Sequence, residues 1–438
     1  MAIRLLHTSD WHLGRSLVNK RRLVEQEAIL HWLLEEIRTR HIDILVIAGD
    51  VFDSSTPGTG AQKVYYSFLR SLLATTCRHV VVIAGNHDSP SFLSAPGEIL
   101  GMLGVHVVGA VSPDDACGGT GDTLPPEVLV LDLPAMEGQA RSLVCCAVPY
   151  LRERDIRLVA AGESMESKDS KSLEGIRHHY TRLGAAAQKK RLELGPHTPL
   201  VVTGHLFAAG GRVIDGDGVR ELAVGSLVAV PADIFPAEAD YVALGHLHSP
   251  QIVDGKEHIR YCGAPLHCGF AEAKLEKSVC VVTFAGRTPV VEKVTVPVAQ
   301  RLATVQGDLS TLREGLEALV AAGESVWVEA EYNGSELVGN LEELLYGLVD
   351  GSPVELLRIR NTSRADLARS LGEEHLSLKD MGPQEVFARC LRDGNVPDVQ
   401  RPNLARLHDL VLAELMEEHA EPLPIVSADM AGNRAGQV

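Results

Sequence analysis

The sequence has no Cys-x-x-Cys pair, no charged-then-apolar leader at MAIRLLHTSDW, no excess of positive charge and no long apolar run. Each absence excludes something. Eight cysteines without paired spacing, in a 438-residue chain that needs no covalent staples, argue against a disulfide framework. Without a leader, and without an apolar run near the roughly 18 residues of a membrane span, the expectation is a soluble protein of a reducing cytoplasm, with no membrane partner. Lys and Arg total 41 against 58 Asp and Glu, a net charge of −17, which argues against a free-standing, non-specific polyanion binder. A local basic patch escapes that exclusion: RSLVNKRR carries Arg15, Lys20, Arg21 and Arg22 with no acid among them.

What is present is an alternation of apolar runs and helical patterns. IRLLHTS reads as a strand, RRLVEQEAILHWLLEEIRTR as a helix with Leu23, Leu30, Leu33, Leu34 and Ile37 on one broad face, and DILVIAG as a strand. Helix AQKVYYSFLRSLLA and strand HVVVIAG follow. This β-α-β-α-β opening predicts an α/β layered domain over 1–285. SPDDACGGTGD and AGESMESKDSKS read as exposed loops. From 286 to about 370 a small α+β module is expected, then a helical segment over 375–420 and a disordered tail over 421–438. Residues 371–438 hold 12 acids and 6 bases, a poor balance for gripping DNA directly.

Polar, metal-capable side chains stand immediately past the apolar runs. Asp10 and His12 follow IRLLHTS, Asp50 follows DILVIAG, and Asn86 and His87 follow VVVIAG. His205 follows PLVVTG, and His246 and His248 follow DYVALG. In open α/β sheets ligands collect beyond the carboxyl ends of the strands, so these residues can converge. In an extended segment residues i and i+2 point the same way, which would let Asp-x-His and His-x-His each serve one centre. Glycine before Asp50, Asn86, His205 and His246 permits sharp turns and close approach. Two Asp, one Asn and four His without a thiolate form an oxygen and nitrogen donor set. It is too large for one tetrahedral zinc and suits two ions. Manganese fits best, with iron, zinc or magnesium as alternatives.

DWHLG, GDVFD, GNHDS, TGH and LGHLH, in this order, resemble the calcineurin-like metallophosphoesterase superfamily. The flanking HTSDWHLGRSL, VIAGDVFDSSTP, VIAGNHDSP, VPYLRERDI, ALGHLHSPQIV and RYCGAPL resemble its bacterial SbcD branch of DNA-break-repair nuclease subunits. The resemblance covers most of the chain and is strongest over 1–270. It implies a four-layer α/β sandwich with a small α+β capping domain and a C-terminal helix-loop-helix. It also implies one manganese on Asp10, His12, Asp50 and His248 and a second on Asp50, Asn86, His205 and His246, with Asp50 shared. His87 would face the scissile phosphate as proton donor, with Asp88 orienting its ring. Three features depart from the usual pattern or mark the branch: Ala264 in Gly263-Ala264-Pro265, Gly269-Phe270-Ala271 before Glu272, and Asp53 where eukaryotic and archaeal relatives carry histidine.

The resemblance further implies ATP-dependent exonuclease action on duplex ends and endonuclease action on single strands and hairpins, in nucleoid-associated repair, recombination and replication. The implied assembly is a homodimer, paired through helices near 60–75 and 90–102, within a heterotetramer containing an SbcC-like coiled-coil ATPase. Docking on that coiled coil would use Val386, Phe387, Leu391, Leu404, Leu407, Val411 and Leu415. DNA phosphates would meet Arg15, Lys20, Arg21 and Arg22, with Arg152 and Arg154 as further candidates. The rival readings are a metallophosphatase of the same superfamily and a non-catalytic DNA clamp. Val51-Phe52-Asp53 and Asp88 stand where protein phosphatases usually carry Asp-Arg-Gly and Glu, which weighs against the first. The complete ligand set weighs against the second.

Overall fold

The computed structural model describes residues 2–111, 124–136, 139–152, 165–208, 229–336 and 338–362. It also describes 155, 211, 386–387, 391, 401–402 and 404–408. Two units are distinguished, Met1–Ser363 and Arg364–Val438.

The first unit opens with β1 (Ala2–Thr8), a short ribbon β2 (Ser16–Leu17) and β3 (Lys20–Arg21), then α1 (Leu23–Thr39), β4 (Ile44–Ala48) and α2 (Thr59–Leu72). Next come β5 (His79–Ile83), α3 (Pro90–Ser94), α4 (Gly97–Met102), β6 (Val105–Val108), β7 (Val128–Met136) and β8 (Gln139–Cys146). The long helix α5 (Met165–Leu194) leads to β9 (Leu200–His205), β10 (Tyr241–Gly245), β11 (Gln251–Val253), β12 (Lys256–Tyr261), β13 (Ser278–Ala285) and β14 (Thr288–Thr295). The expected exposed loop AGESMESKDSKS is therefore helical from Met165 onward.

These strands form two six-stranded sheets, ordered β14-β13-β1-β4-β5-β6 and β11-β12-β10-β9-β8-β7. Strand β4 shows why they stack. All five residues of ILVIA are buried, with Ile44, Val46 and Ala48 in the core between the sheets and Leu45 and Ile47 against helices on the outside. A continuous apolar run is what a parallel strand covered on both faces requires. Ile29, Leu30, Leu33, Leu34 and Ile37 of α1, with Val64 and Phe68 of α2, cover the first sheet. Tyr180, Leu183 and Ala187 of α5 cover the second. The result is helix, sheet, sheet, helix.

The expected break at 285/286 falls on the turn of a hairpin, where Gly286 takes a left-handed φ of 63° and β14 folds back on β13. Beyond it β15 (Arg301–Gly307), α6 (Leu309–Ala322), β16 (Val326–Tyr332), α7 (Leu341–Val349) and β17 (Val354–Asn361) build a three-stranded parallel sheet. Asp308 caps α6 by accepting from the Thr311 amide at 2.9 Å, and Gly323 ends it in the left-handed region. Leu17 and Phe270 pack with Leu302 and Trp327 to join this module to the β2–β3 ribbon.

Within the second unit residues 386–387, 391, 401–402 and 404–408 are helical, and the Phe387 and His408 rings stack at 4.0 Å. Val386, Phe387 and Leu404 are half-buried, Leu391 is buried and Leu407 is exposed. Val411, Leu415 and the tail at 421–438 lie outside the described residues. No helix among the described residues is long and apolar enough to cross a membrane.

Candidate metal centre

Every sequence-selected residue past β1, β4, β5, β9 and β10 arrives at the same end of the two sheets. The loop after β1 is laced to the loop after β4: the Asp10, His12 and Leu13 amides donate to the Gly49, Asp50 and Val51 carbonyls at 2.9–3.0 Å. Asp10, His12, Asp50 and His246 all hold positive φ values, of 54°, 45°, 49° and 103°. Such conformations are costly for residues with a Cβ and persist where the surroundings over-determine them, typically at functional sites. The side chains therefore do not converge by strand alternation, as the i, i+2 argument expected; they converge by left-handed turns beyond the strands.

Asp50 is the hinge of the arrangement. Its Oδ2 lies 3.7 Å from His12 Nε2 and 3.4 Å from His205 Nε2. On one side His12 Nε2 faces His248 Nε2 at 3.1 Å. On the other, His205 Nε2 and His246 Nδ1 each lie 3.0 Å from Asn86 Oδ1. Asp10 accepts from the His246 amide at 3.0 Å and from the Ser9 hydroxyl at 2.5 Å, and shares a donor cluster with Asp50 and His205. His12 and His248 thus lie on one side of Asp50 and Asn86, His205 and His246 on the other, while Asp10 stands with Asp50 and His205.

The sheets can meet this closely because of glycine. A Cβ on Gly49 would sit 2.2 Å from His205 Nδ1, and one on Gly245 would sit 1.9 Å from the Ala48 carbonyl oxygen. Gly49 and Gly245 thus serve approach between the two sheets, and Gly85 serves approach between the neighbouring loops after β4 and β5.

Burial pushes the His246 ring down to about 3 and His12 downward as well, so both are neutral donors near neutral pH. Burial opposes ionisation of Asp50, but His205, helped by His12 and His87, outweighs it and holds the carboxyl well below its usual range. Burial lowers His205 while Asp50 raises it, and the ring ends at about 9. Buried nitrogens without hydrogen-bond partners, His246 Nε2 and His12 Nδ1, stand beside lone pairs that face one another. Imidazoles, carboxylates and an amide oxygen so disposed suit divalent cations, which would take the place of the proton that Asp50 favours on His205.

Two expectations about roles are corrected. Asp88 does not orient the His87 ring. It accepts from the Val51, Phe52 and Gly85 amides at 3.1, 2.9 and 2.9 Å, tying the loops after β4 and β5 together. His87 Nδ1 is instead 2.8 Å from the Asp53 carbonyl, which can only accept, so Nδ1 carries the proton and Nε2 is left for other chemistry. Nor are the candidate donors brought together here confined to oxygen and nitrogen: Cys268 Sγ clusters with His12 and His248 donors, all three residues buried. Cys268 immediately precedes the Gly269-Phe270-Ala271 stretch, and nothing in its local spacing pointed to the centre.

Glu272 was visible only as the end of an atypical loop. It is fully buried, 3.0 Å from His248 Nδ1, paired with Lys277 at 2.5 Å and bonded to the Cys268 amide at 2.9 Å. Burial raises its carboxyl, but His248 and Lys277 overcome this and hold it at about 2. A carboxylate on Nδ1 leaves His248 Nε2 as the ligand nitrogen.

The basic patch divides. Arg21 is exposed and Lys20 half-exposed, paired with Glu355. Arg15 bonds Asp53 at 3.1 Å. Arg22 is corrected: it is fully buried, bonded to the His267 carbonyl and set over the Trp327 ring at 5.6 Å, so it holds the fold and has no face for a phosphate. Arg152 is half-buried and donates to the Asp88 carbonyl at 3.3 Å, while Arg154 lies outside the described residues.

A family model described as calcineurin-like phosphoesterase matches residues 3–250, and one described as type 5 capsule protein repressor C-terminal domain, SbcD_C, matches 298–395. The chain is 36% identical over 421 residues to the SbcD subunit of the SbcCD nuclease of Escherichia coli K12, covering 95% of this chain and 100% of that one. The Rhodobacter capsulatus protein of the same name is 35% identical over 287 residues, covering 65% of this chain and 67% of its own. The Bacillus subtilis one is 33% identical over 281 residues, covering 64% and 66%.

Proposed function

This chain belongs to the SbcD family of nuclease subunits, within the calcineurin-like phosphoesterases, and on that basis we propose that it hydrolyses DNA phosphodiesters as the SbcD-type member of an SbcCD-like complex. The observation that carries this reading is Asp50, set between His12 and His205 so that one carboxylate joins two donor groups. Asp10, His12, Asp50 and His248 would hold one divalent ion and Asp50, Asn86, His205 and His246 a second, with manganese the best match. Ions bound there supply Lewis-acid charge for water activation and for the phosphate oxygens.

The chain's own residues account for the rest. His87, half-buried and anchored through Nδ1–H on the Asp53 carbonyl, keeps Nε2 open to take a second proton from solvent and pass it to the departing sugar oxygen. Asp88 keeps that loop in register by holding three amides. Arg15, Lys20, Arg21 and Arg152 would serve as phosphate contacts, which set register and not sequence choice. The apolar side chains Leu73, Ile99, Met102 and Leu103 are exposed on and beside α2 and α4, which suits pairing of two copies. The 375–420 segment would dock on an SbcC-like coiled-coil ATPase, whose ATP would license duplex-end degradation. Six described cysteines, all free thiols, suit a reducing cytoplasm, with the nucleoid as the place of work.

The test is purified protein with manganese against single-stranded circles, linear duplex and p-nitrophenyl phosphate, beside His87→Asn. DNA should be cut, and the variant should bind manganese as before while losing about 10²–10⁴-fold in rate. Hydrolysis of the small ester alone would make the chain a phosphatase; DNA binding without any turnover would make it a clamp.

A further inference from the structure

Cys268 sits where a metal ligand could sit, at a position that the two-ion pattern leaves out. One donor atom each of His12, His248 and Cys268 lie within 4.8 Å of one another, and all three residues are buried. The thiol is held there by construction. Glu272 uses one oxygen to fix the His248 ring at 3.0 Å and the other to accept from the Cys268 amide at 2.9 Å, so a single carboxylate positions both donors. In this rotamer Sγ spends its proton on a long contact, 3.6 Å, to the Leu266 carbonyl.

We propose that Cys268, His12 and His248 form a second, sulfur-containing binding mode of the first metal position, selective for a thiophilic divalent ion such as zinc. Two imidazole nitrogens and one thiolate leave the fourth tetrahedral position to water, a coordination that zinc accepts. Manganese, which takes carboxylate and water oxygens more readily than sulfur, gains nothing from Cys268. On binding, the S–H proton leaves to solvent as the sulfur–metal bond forms, and no electron changes hands. Because His12 and His248 are common to both modes, zinc held by sulfur competes with an ion held by Asp10 and Asp50. The inference rests on the metal-centre reading of the site and adds a ligand and a selectivity to it.

The test uses full-length protein stripped with a chelator and titrated with cobalt(II). The parent should develop a near-ultraviolet thiolate-to-cobalt charge-transfer band, and Cys268→Ser should lose that band while keeping visible cobalt absorption. In competition titrations, Cys268→Ser should weaken zinc by about 10–100-fold and leave manganese affinity in place. Cys268→Ala, which removes the sulfur without adding a hydroxyl, should behave as the serine variant does if that one folds poorly. Cobalt bound by the parent without the band, or a band that survives in both variants, overturns the sulfur mode alone. A parent that takes up no cobalt overturns it together with the metal centre.

Discussion

Gly245→Ala isolates the closeness of the two sheets from every ligand. The added Cβ would lie 1.9 Å from the Ala48 carbonyl oxygen and 2.9 Å from His205 Nδ1. It would enter the space of the 2.9 Å contact in which His205 Nδ1 bonds that same carbonyl. The first distance is about 1.5 Å short of ordinary contact, and both neighbours are backbone or a buried ring, so neither yields cheaply. Overpacking of this kind costs about 1–3 kcal/mol. Sheets forced apart by about 1 Å would also separate Asp50 from His205, and a displacement of that size can cost about 10²-fold in rate. Gly347→Ala, inside α7 with open space around its Cβ, is the control and should be neutral or stabilising by about 0.5–1 kcal/mol. Calorimetric melting of metal-free protein and manganese-dependent cleavage of single-stranded DNA read the two effects separately. A Gly245→Ala protein that melts and cuts like the parent would refute the argument that glycine lets these sheets touch.

Three further outcomes follow from other parts of the structure. Glu272→Gln keeps the size but removes the charge between His248 and Lys277; manganese affinity should fall about 10–100-fold and stability by about 3–5 kcal/mol, measured by titration and denaturant melts. Parental values in both would remove Glu272 from its role. His7 is fully buried, 3.0 Å from the Tyr241 hydroxyl, and burial drives its ring down to about 3. Its folded-state value lies below the unfolded 6.5, so its contribution is whole above pH 6.5 and is lost as pH falls toward 3. His7→Gln should therefore narrow its stability deficit by about 2 kcal/mol between pH 7 and pH 5, and an unchanged deficit would contradict the buried neutral ring. Replacing Lys20 and Arg21 by Gln should lower the salt slope of duplex binding by up to about 1.8. Arg22→Ala should leave the slope alone and lower the melting temperature; the reverse pattern would return Arg22 to the DNA.

Much of this protein is determined by short-range pattern. Apolar runs such as ILVIA and VVVI can only be covered strands, and a polar residue after glycine at such a strand's end must emerge at its carboxyl edge. Hence Asp10, His12, Asp50, Asn86, His205, His246 and His248 could be named before any contact was known. What the tertiary structure alone decided are relations between segments far apart in the chain. It decided that Asp88 holds backbone amides while Asp53 offers its carbonyl to His87, because the loops after β4 and β5 pack against one another. It also decided that β14 returns to the first sheet, since a hairpin partner is chosen by which edge is free. Charge pattern made Arg21 and Arg22 equivalent, and packing separated them: one faces water and the other lies under Trp327. Cys268 and Glu272 return to His248 only after the chain has passed through β11 and β12, and no local rule encodes a distance of that kind.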